Sequence, residues 1–116
     1  MKKVLALMLA LMMALAMLTV ATADEAKKPY IGILAPATTH GWVGGVAYYA
    51  QQAADSLDIK YEFLTSSDAE EMSSQIEQLI SLGVDAIVVW PQFTGVETAA
   101  EKALEKGIKI SNFDMI

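Results

Sequence analysis

The chain has 116 residues, 14 acidic against 8 basic side chains, a net charge of −6, no cysteine and one histidine. That length holds at most one domain of modest size, and the acid excess works against nucleic acid or anionic membrane surfaces as partners. The missing thiols exclude disulfides, thiolate metal sites and a lipid-modified cysteine, and a single histidine (His40) cannot build a multi-histidine zinc centre.

The first stretch reads as a targeting signal. Lys2 and Lys3 form a positive start, Val4 to Val20 is uncharged and rich in Leu, Ala and Met, and Ala21-Thr22-Ala23 has the A-x-A form of a cleavage site, followed by Asp24-Glu25. The pattern predicts a secretory signal peptide over residues 1–23 and an exported product starting at Asp24. The alternative is an uncleaved anchor, although a 17-residue apolar run spans only roughly 25 Å as a helix, against a bilayer core of about 30 Å. Without residues 1–23, which carry two lysines and no acid, six lysines face fourteen acids and the net charge becomes −8.

Beyond a short polar leader, Tyr30-Ile31-Gly32-Ile33-Leu34 is predicted as a strand buried on both faces. Ala35 to Gly45, with Pro36 and three glycines, is predicted as a loop. Val46 to Leu57 carries Val46, Tyr49, Ala50, Ala53 and Leu57 at helical spacing. In Ile59 to Leu64 the apolar residues Ile59, Tyr61 and Phe63 alternate with Lys60 and Glu62, the mark of a half-exposed edge strand. Ser67-Asp68-Ala69-Glu70 has the form of a capping box. It opens a helix with Met72, Ile76, Leu79 and Ile80 on one face, which Gly83 terminates. Ile87 to Trp90, stopped by Pro91, is a continuous apolar run of the kind found in central parallel strands. Thr94-Gly95-Val96-Glu97 repeats the capping pattern, Val96 to Leu104 gives a narrow helical face, and Ile108 to Phe113 is the fourth predicted strand.

The alternation β-α-β-α-β-α-β predicts an α/β fold: a parallel sheet flanked by helices on both faces, with right-handed crossovers. With the alternating strand at an edge, the expected order is 2-1-3-4. Ligands of such sheets bind outside the carboxyl ends of the strands, where the chain direction switches. Pro36 to Gly45, Ser66 to Asp68, Trp90 to Phe93, and Asp114 therefore carry the functional weight.

Enzyme motifs are missing. There is no Walker A, no G-x-S-x-G and no G-x-G-x-x-G, so neither catalysis nor a cofactor nor a metal is expected. Thr38-Thr39-His40-Gly41-Trp42-Val43 is the informative stretch. The flat face of Trp42 suits the C–H face of a sugar ring, or equally the packing of the loop onto the domain. Trp90, at the end of the central strand, fits ligand contact or the capping of the core. Asp114 is an acceptor for paired hydroxyls or a solvated loop acid.

These residues, in this order, resemble the N-terminal lobe of periplasmic sugar-binding proteins of ABC importers, of the ribose- and galactose-binding type I class. The resemblance covers nearly all of residues 29–116. It rests on the Tyr30-to-Leu34 strand, Thr39-His40-Gly41-Trp42, Ala50-Gln51-Gln52-Ala53-Ala54, Gln75-Ile76-Glu77-Gln78-Leu79-Ile80, Gly83-Val84-Asp85-Ala86-Ile87-Val88-Val89 and Ile110 to Asp114. LacI-type repressors share the fold, but here a signal peptide stands where their DNA-binding headpiece would be. The resemblance implies two lobes closing on a sugar without chemistry, an ABC permease as partner, and a periplasmic or cell-exterior location. By position it implies a ligand-binding set of His40, Trp42, Val43, Trp90 and Asp114. Gly41 stands where the family often has proline, Val43 where it often has a second aromatic, Trp90 where Asn or Asp is usual, and Met115 where Arg or Ser is frequent. Family chains are more than twice as long, so residues 24–116 are expected to be an incomplete N-terminal lobe. The rival expectations are a membrane-anchored ligand sensor and the N-terminal part of an α/β enzyme.

Overall fold

The structure, a computed structural model, describes residues 26–37 and 41–113. The predicted signal peptide, His40 and Asp114 lie outside the described residues. Four strands and three helices alternate along the chain: β1 (Tyr30–Pro36), α1 (Gly41–Ser56), β2 (Lys60–Ser66), α2 (Ala69–Leu82), β3 (Ala86–Val89), α3 (Glu97–Glu105) and β4 (Lys109–Asn112). All strand pairs are parallel and the order is β2-β1-β3-β4, as expected. β1 pairs with β2 from Tyr30↔Lys60 to Pro36↔Ser66, and with β3 from Ile31↔Ala86 to Leu34↔Val89.

The chain moves one way across the sheet from β1 to β2 and the other way from β2 through β3 to β4. Right-handed crossovers then place α1 on one face and α2 with α3 on the other. The burial pattern agrees with this division. Tyr30 and Leu34 of β1 and Ile87 and Val89 of β3 share one core cluster with Met72, Ile76 and Leu79 of α2 and Ala99 and Ala103 of α3. Ile33, Ala35, Trp90 and Ala54 of α1 are buried outside that cluster, on the opposite side of the alternating strands. Edge strand β4 has only Ile110 partly covered, while Lys109, Ser111 and Asn112 are exposed.

The α2 face depends on Gly32. A Cβ built there would lie 2.4 Å from Leu79 Cδ1 and 2.8 Å from Cδ2, and Leu79 is fully buried. The bare backbone of Gly32 is what lets the helix approach the sheet at this point. At its other end, α2 stops at Gly83, which takes the left-handed conformation (φ 70°, ψ 43°) and returns its N–H to the Ile80 carbonyl.

The amino end of the sheet is tied by polar contacts that composition does not reveal. Tyr30 N–H donates to Asp85 Oδ2 (2.8 Å), and Asp85 N–H donates back to Tyr30 O (2.7 Å). The Tyr30 hydroxyl donates to Glu62 Oε1 (2.7 Å), and Lys60 Nζ sits 3.9 Å from the centre of the Tyr30 ring. Asp85 and Glu62 thus serve the fold, where their type alone suggests solvated acids.

Several element boundaries differ from expectation. α1 begins at Gly41, so Gly41, Gly44 and Gly45, predicted as loop, are helical. They are helical despite an unfavourable glycine propensity of about 1 kcal/mol each. The first capping box is shifted by one residue: Asp68 Oδ1 accepts from Glu71 N–H (2.8 Å), and Glu71 Oε2 accepts from Ser67 N–H (2.7 Å). The second does not form. α3 starts after Val96 without a side-chain cap, and Glu97 Oε2 accepts from Gly95 N–H (2.7 Å) in place of Thr94.

Two outcomes are expected. Gly32→Ala forces Leu79 off its seat and costs about 1–3 kcal/mol, read as a lowered thermal midpoint; an unchanged midpoint would show that Leu79 moves aside freely. The Tyr30 phenol titrates above its ordinary value of 10.0, chiefly because its proton is held by Glu62, with burial and the Glu62 charge adding to the shift. A phenol whose folded pKa is raised contributes stability that is complete below its unfolded pKa and is lost as pH rises through the folded one. The stability lost in Glu62→Gln should therefore be full near neutral pH and shrink as pH rises through the folded Tyr30 pKa, and absorbance titration should show that pKa moving back toward the ordinary value.

Candidate functional site

β1 runs to Pro36, and Ala37 N–H donates to the Ser66 carbonyl (2.7 Å), which closes the end of β1 against the end of β2. The chain re-emerges at Gly41 (φ 65°), the first residue of α1. Trp42 and Val43 therefore sit on the first turn of a helix and not in a loop, a correction to the sequence expectation. A helix turn presents Trp42 from a rigid element: the side chain is 75 % exposed, whereas Val43 is half-buried.

Trp42, Val46 and Tyr49 fall on one stripe of α1 at helical spacing. Together with Gly41, Gly45 and Phe113 they line a trough of about 610 Å³. The trough lies between the first turns of α1 and Phe113, the residue after β4, on the carboxyl side of the sheet. No charged side chain lines it among the described residues. Its size falls in the range of small-molecule pockets.

Trp90 is placed differently from Trp42. It follows β3 directly, is 1 % exposed, and donates its backbone N–H to Leu34 O (3.0 Å). Its ring lies against Phe113, with centroids 5.5 Å apart and planes inclined at 33°. Phe113 is itself held in line by its N–H to Val89 O (3.3 Å). Of the expected ligand set, the structure thus puts Trp42 on the trough wall, Val43 beside it on the same turn outside the lining, and Trp90 beneath Phe113 with no open face of its own. His40 precedes α1 and Asp114 follows Phe113 in the chain, both outside the described residues.

Sequence reasoning missed Phe113 as a site residue because it was absorbed into the predicted fourth strand. β4 ends at Asn112, so Phe113 is the first residue beyond the strand, and an aromatic directly before Asp114 was the available signal. Tyr49 was assigned to the packed face of α1 but is 71 % exposed on the trough. Ser66 to Asp68 serve the fold: Ser66 is buried and Asp68 caps α2.

A second pocket, of about 320 Å³, lies on the opposite face beside β4, between Ile87, Val89, Phe93, Val96, Ala100 and Ile110. Its one carboxylate, Glu97, is already engaged by Gly95 N–H. This is an apolar gap next to an edge strand. Among the described residues no group of three or more His, Cys, Asp or Glu is placed to hold a metal ion, and no helix is long and apolar enough to cross a membrane. The two phenols held above their ordinary pKa, Tyr30 as the first residue of β1 and Tyr61 as the second of β2, lie at the amino end of the sheet; Tyr61 is raised chiefly by donating to Asp55.

Residues 31–116 match the family model described as the periplasmic binding protein domain. The chain belongs to that family. Its four parallel strands in the order 2-1-3-4, with helices on both faces, are those of a lobe of a type I periplasmic binding protein. No curated protein gives a significant match to the chain. Members of the periplasmic binding protein family bind a small solute and work in general with a transporter; they are typically non-enzymatic and generally exported to the periplasm. A solute-binding role follows for this domain.

The two tryptophans should separate cleanly by measurement. Trp90→Ala removes a buried ring and should cost about 3–5 kcal/mol in denaturant unfolding. Trp42→Ala should change stability by no more than about 0.5 kcal/mol, as expected of an exposed position. Equal losses would place Trp42 in the core and remove it from the trough wall.

Proposed function

We propose that this domain is the ligand-facing lobe of an exported solute-binding protein that captures an uncharged, sugar-like molecule for uptake through an ABC permease. The observation that carries this reading is the exposed Trp42 ring on an uncharged trough at the carboxyl edge of the sheet. A sugar ring presents patches of C–H to such a face while its hydroxyls seek acceptors around the rim. His40 and Asp114 flank the trough in the chain and are the proposed polar partners, with the Asp114 carboxylate accepting from neighbouring hydroxyls. Trapping is by hinge closure against a second lobe, with no bond made or broken in the ligand. Residues 1–23 are proposed to direct export and to be removed.

The test is calorimetric titration of the exported protein with a panel of neutral pentoses and hexoses, with mass spectrometry of its N-terminus. Binding of a neutral sugar is expected. Trp42→Ala should weaken it roughly tenfold, and Asp114→Ala by roughly ten- to a hundredfold, as for a charged hydrogen bond. Asp24 is expected as the first residue. Sugar affinity untouched by both substitutions would sink the site, and a retained Met1 or Lys2 would sink cleavage.

A further inference from the structure

We infer that Phe113 is a second ligand-contacting wall of the trough, and that Trp90 is a positioning residue that sets the plane of the Phe113 ring. The inference rests on the trough being the solute site proposed above. The two walls come from distant parts of the chain: Trp42 from the first turn of α1, and Phe113 from the residue after β4. Phe113 is 36 % exposed and lines the trough. Its ring lies against Trp90, which is 1 % exposed and inclined at 33° with centroids 5.5 Å apart, within the range of favourable aromatic pairs. A phenyl ring beyond the last strand residue would otherwise turn about its side-chain bonds. The buried indole against it, on a residue whose backbone N–H donates to Leu34 O, restricts that freedom before ligand arrives.

The neutral lining sets the chemistry of the occupant. In a chain of net charge −6 the trough carries no charged side chain among the described residues. Its walls are two aromatic rings, Tyr49 and small apolar groups. An ionised group set against this lining would lose hydration with no charged side chain among the described lining residues to replace it, whereas an uncharged saturated ring gains apolar contact. Trp90 is too deeply buried to touch that ring and responds to it only through Phe113.

The experiment uses the full chain labelled with 5-fluorotryptophan. Its two tryptophans give one fluorine resonance each, assigned with Trp42→Phe. Methyl β-D-galactopyranoside, methyl β-D-glucopyranoside and D-ribose are titrated in turn. At least one is expected to shift both resonances with the same midpoint. Phe113→Leu, which keeps apolar bulk but loses the ring, should abolish the Trp90 shift and weaken the midpoint read at Trp42 roughly three- to tenfold; Phe113→Tyr should restore both. A Trp42 shift with a silent Trp90 and no effect of Phe113→Leu overturns this inference and leaves the proposed function standing. Silence at both resonances for all three sugars overturns both. A Trp42 shift that grows with protein concentration before any sugar is added assigns the trough to a second copy of the chain, and likewise overturns the inference.

Discussion

β1 and β3 lie side by side, Ile31 to Leu34 against Ala86 to Val89, although a helix, a strand and a second helix separate them in the chain. This parallel pairing is the constraint on which the rest depends. A parallel partner cannot be reached by a tight turn, so the intervening α2 must cross the sheet, and it crosses over β1. The crossing brings Leu79 down onto Gly32, and only a residue without Cβ leaves room for it. The same pairing makes β1 the strand from which the chain leaves in one direction and to whose other side it returns.

The two ends of the sheet have opposite characters. At the amino end, Tyr30, Asp85, Glu62 and Lys60 satisfy one another, leaving little unspent polarity. At the carboxyl end the polar backbone is closed by Ala37 N–H to Ser66 O, Trp90 N–H to Leu34 O and Phe113 N–H to Val89 O. What remains there is a set of aromatic rings at different depths: Trp90 buried, Phe113 at the rim, Trp42 out in the trough. An amino end knit by ion-dipole and hydrogen-bond contacts gives rigidity, and a carboxyl end graded from core to surface gives a contact face that needs no rearrangement of the strands.

Most of the architecture was legible in the residues because it rests on periodicity. The continuous apolar run of β3, the alternation in β2 and the 3.6-residue spacing in α2 each depend on which face meets the core, and such patterns are written locally. The strand order also followed, since a strand that alternates Lys60 and Glu62 with Tyr61 and Phe63 belongs at an edge. The start of α1 was not legible. Three glycines between residues 41 and 45 argue for a loop on propensity, yet the helix runs through them. Caps were half legible: an acid three residues after a hydroxyl or an acid marks a helix start within one residue, but which group accepts depends on backbone angles settled by the turn.

By itself the sequence determined the class, the order of the strands, the family and the two tryptophans as aromatic candidates, because each of these rests on residue type and spacing along the chain. Only the tertiary structure decided what each aromatic does. Trp42 and Trp90 are the same side chain, each close to the end of a strand, and nothing local distinguishes them. The sheet does: Trp90 continues β3 into the covered face and is sealed by Phe113, while Trp42 rides the first turn of a helix whose stripe points into the trough. Depth below the surface is set by contacts between residues far apart in the chain, and that is why the trough, its second wall and the ring beneath it emerge only with the fold.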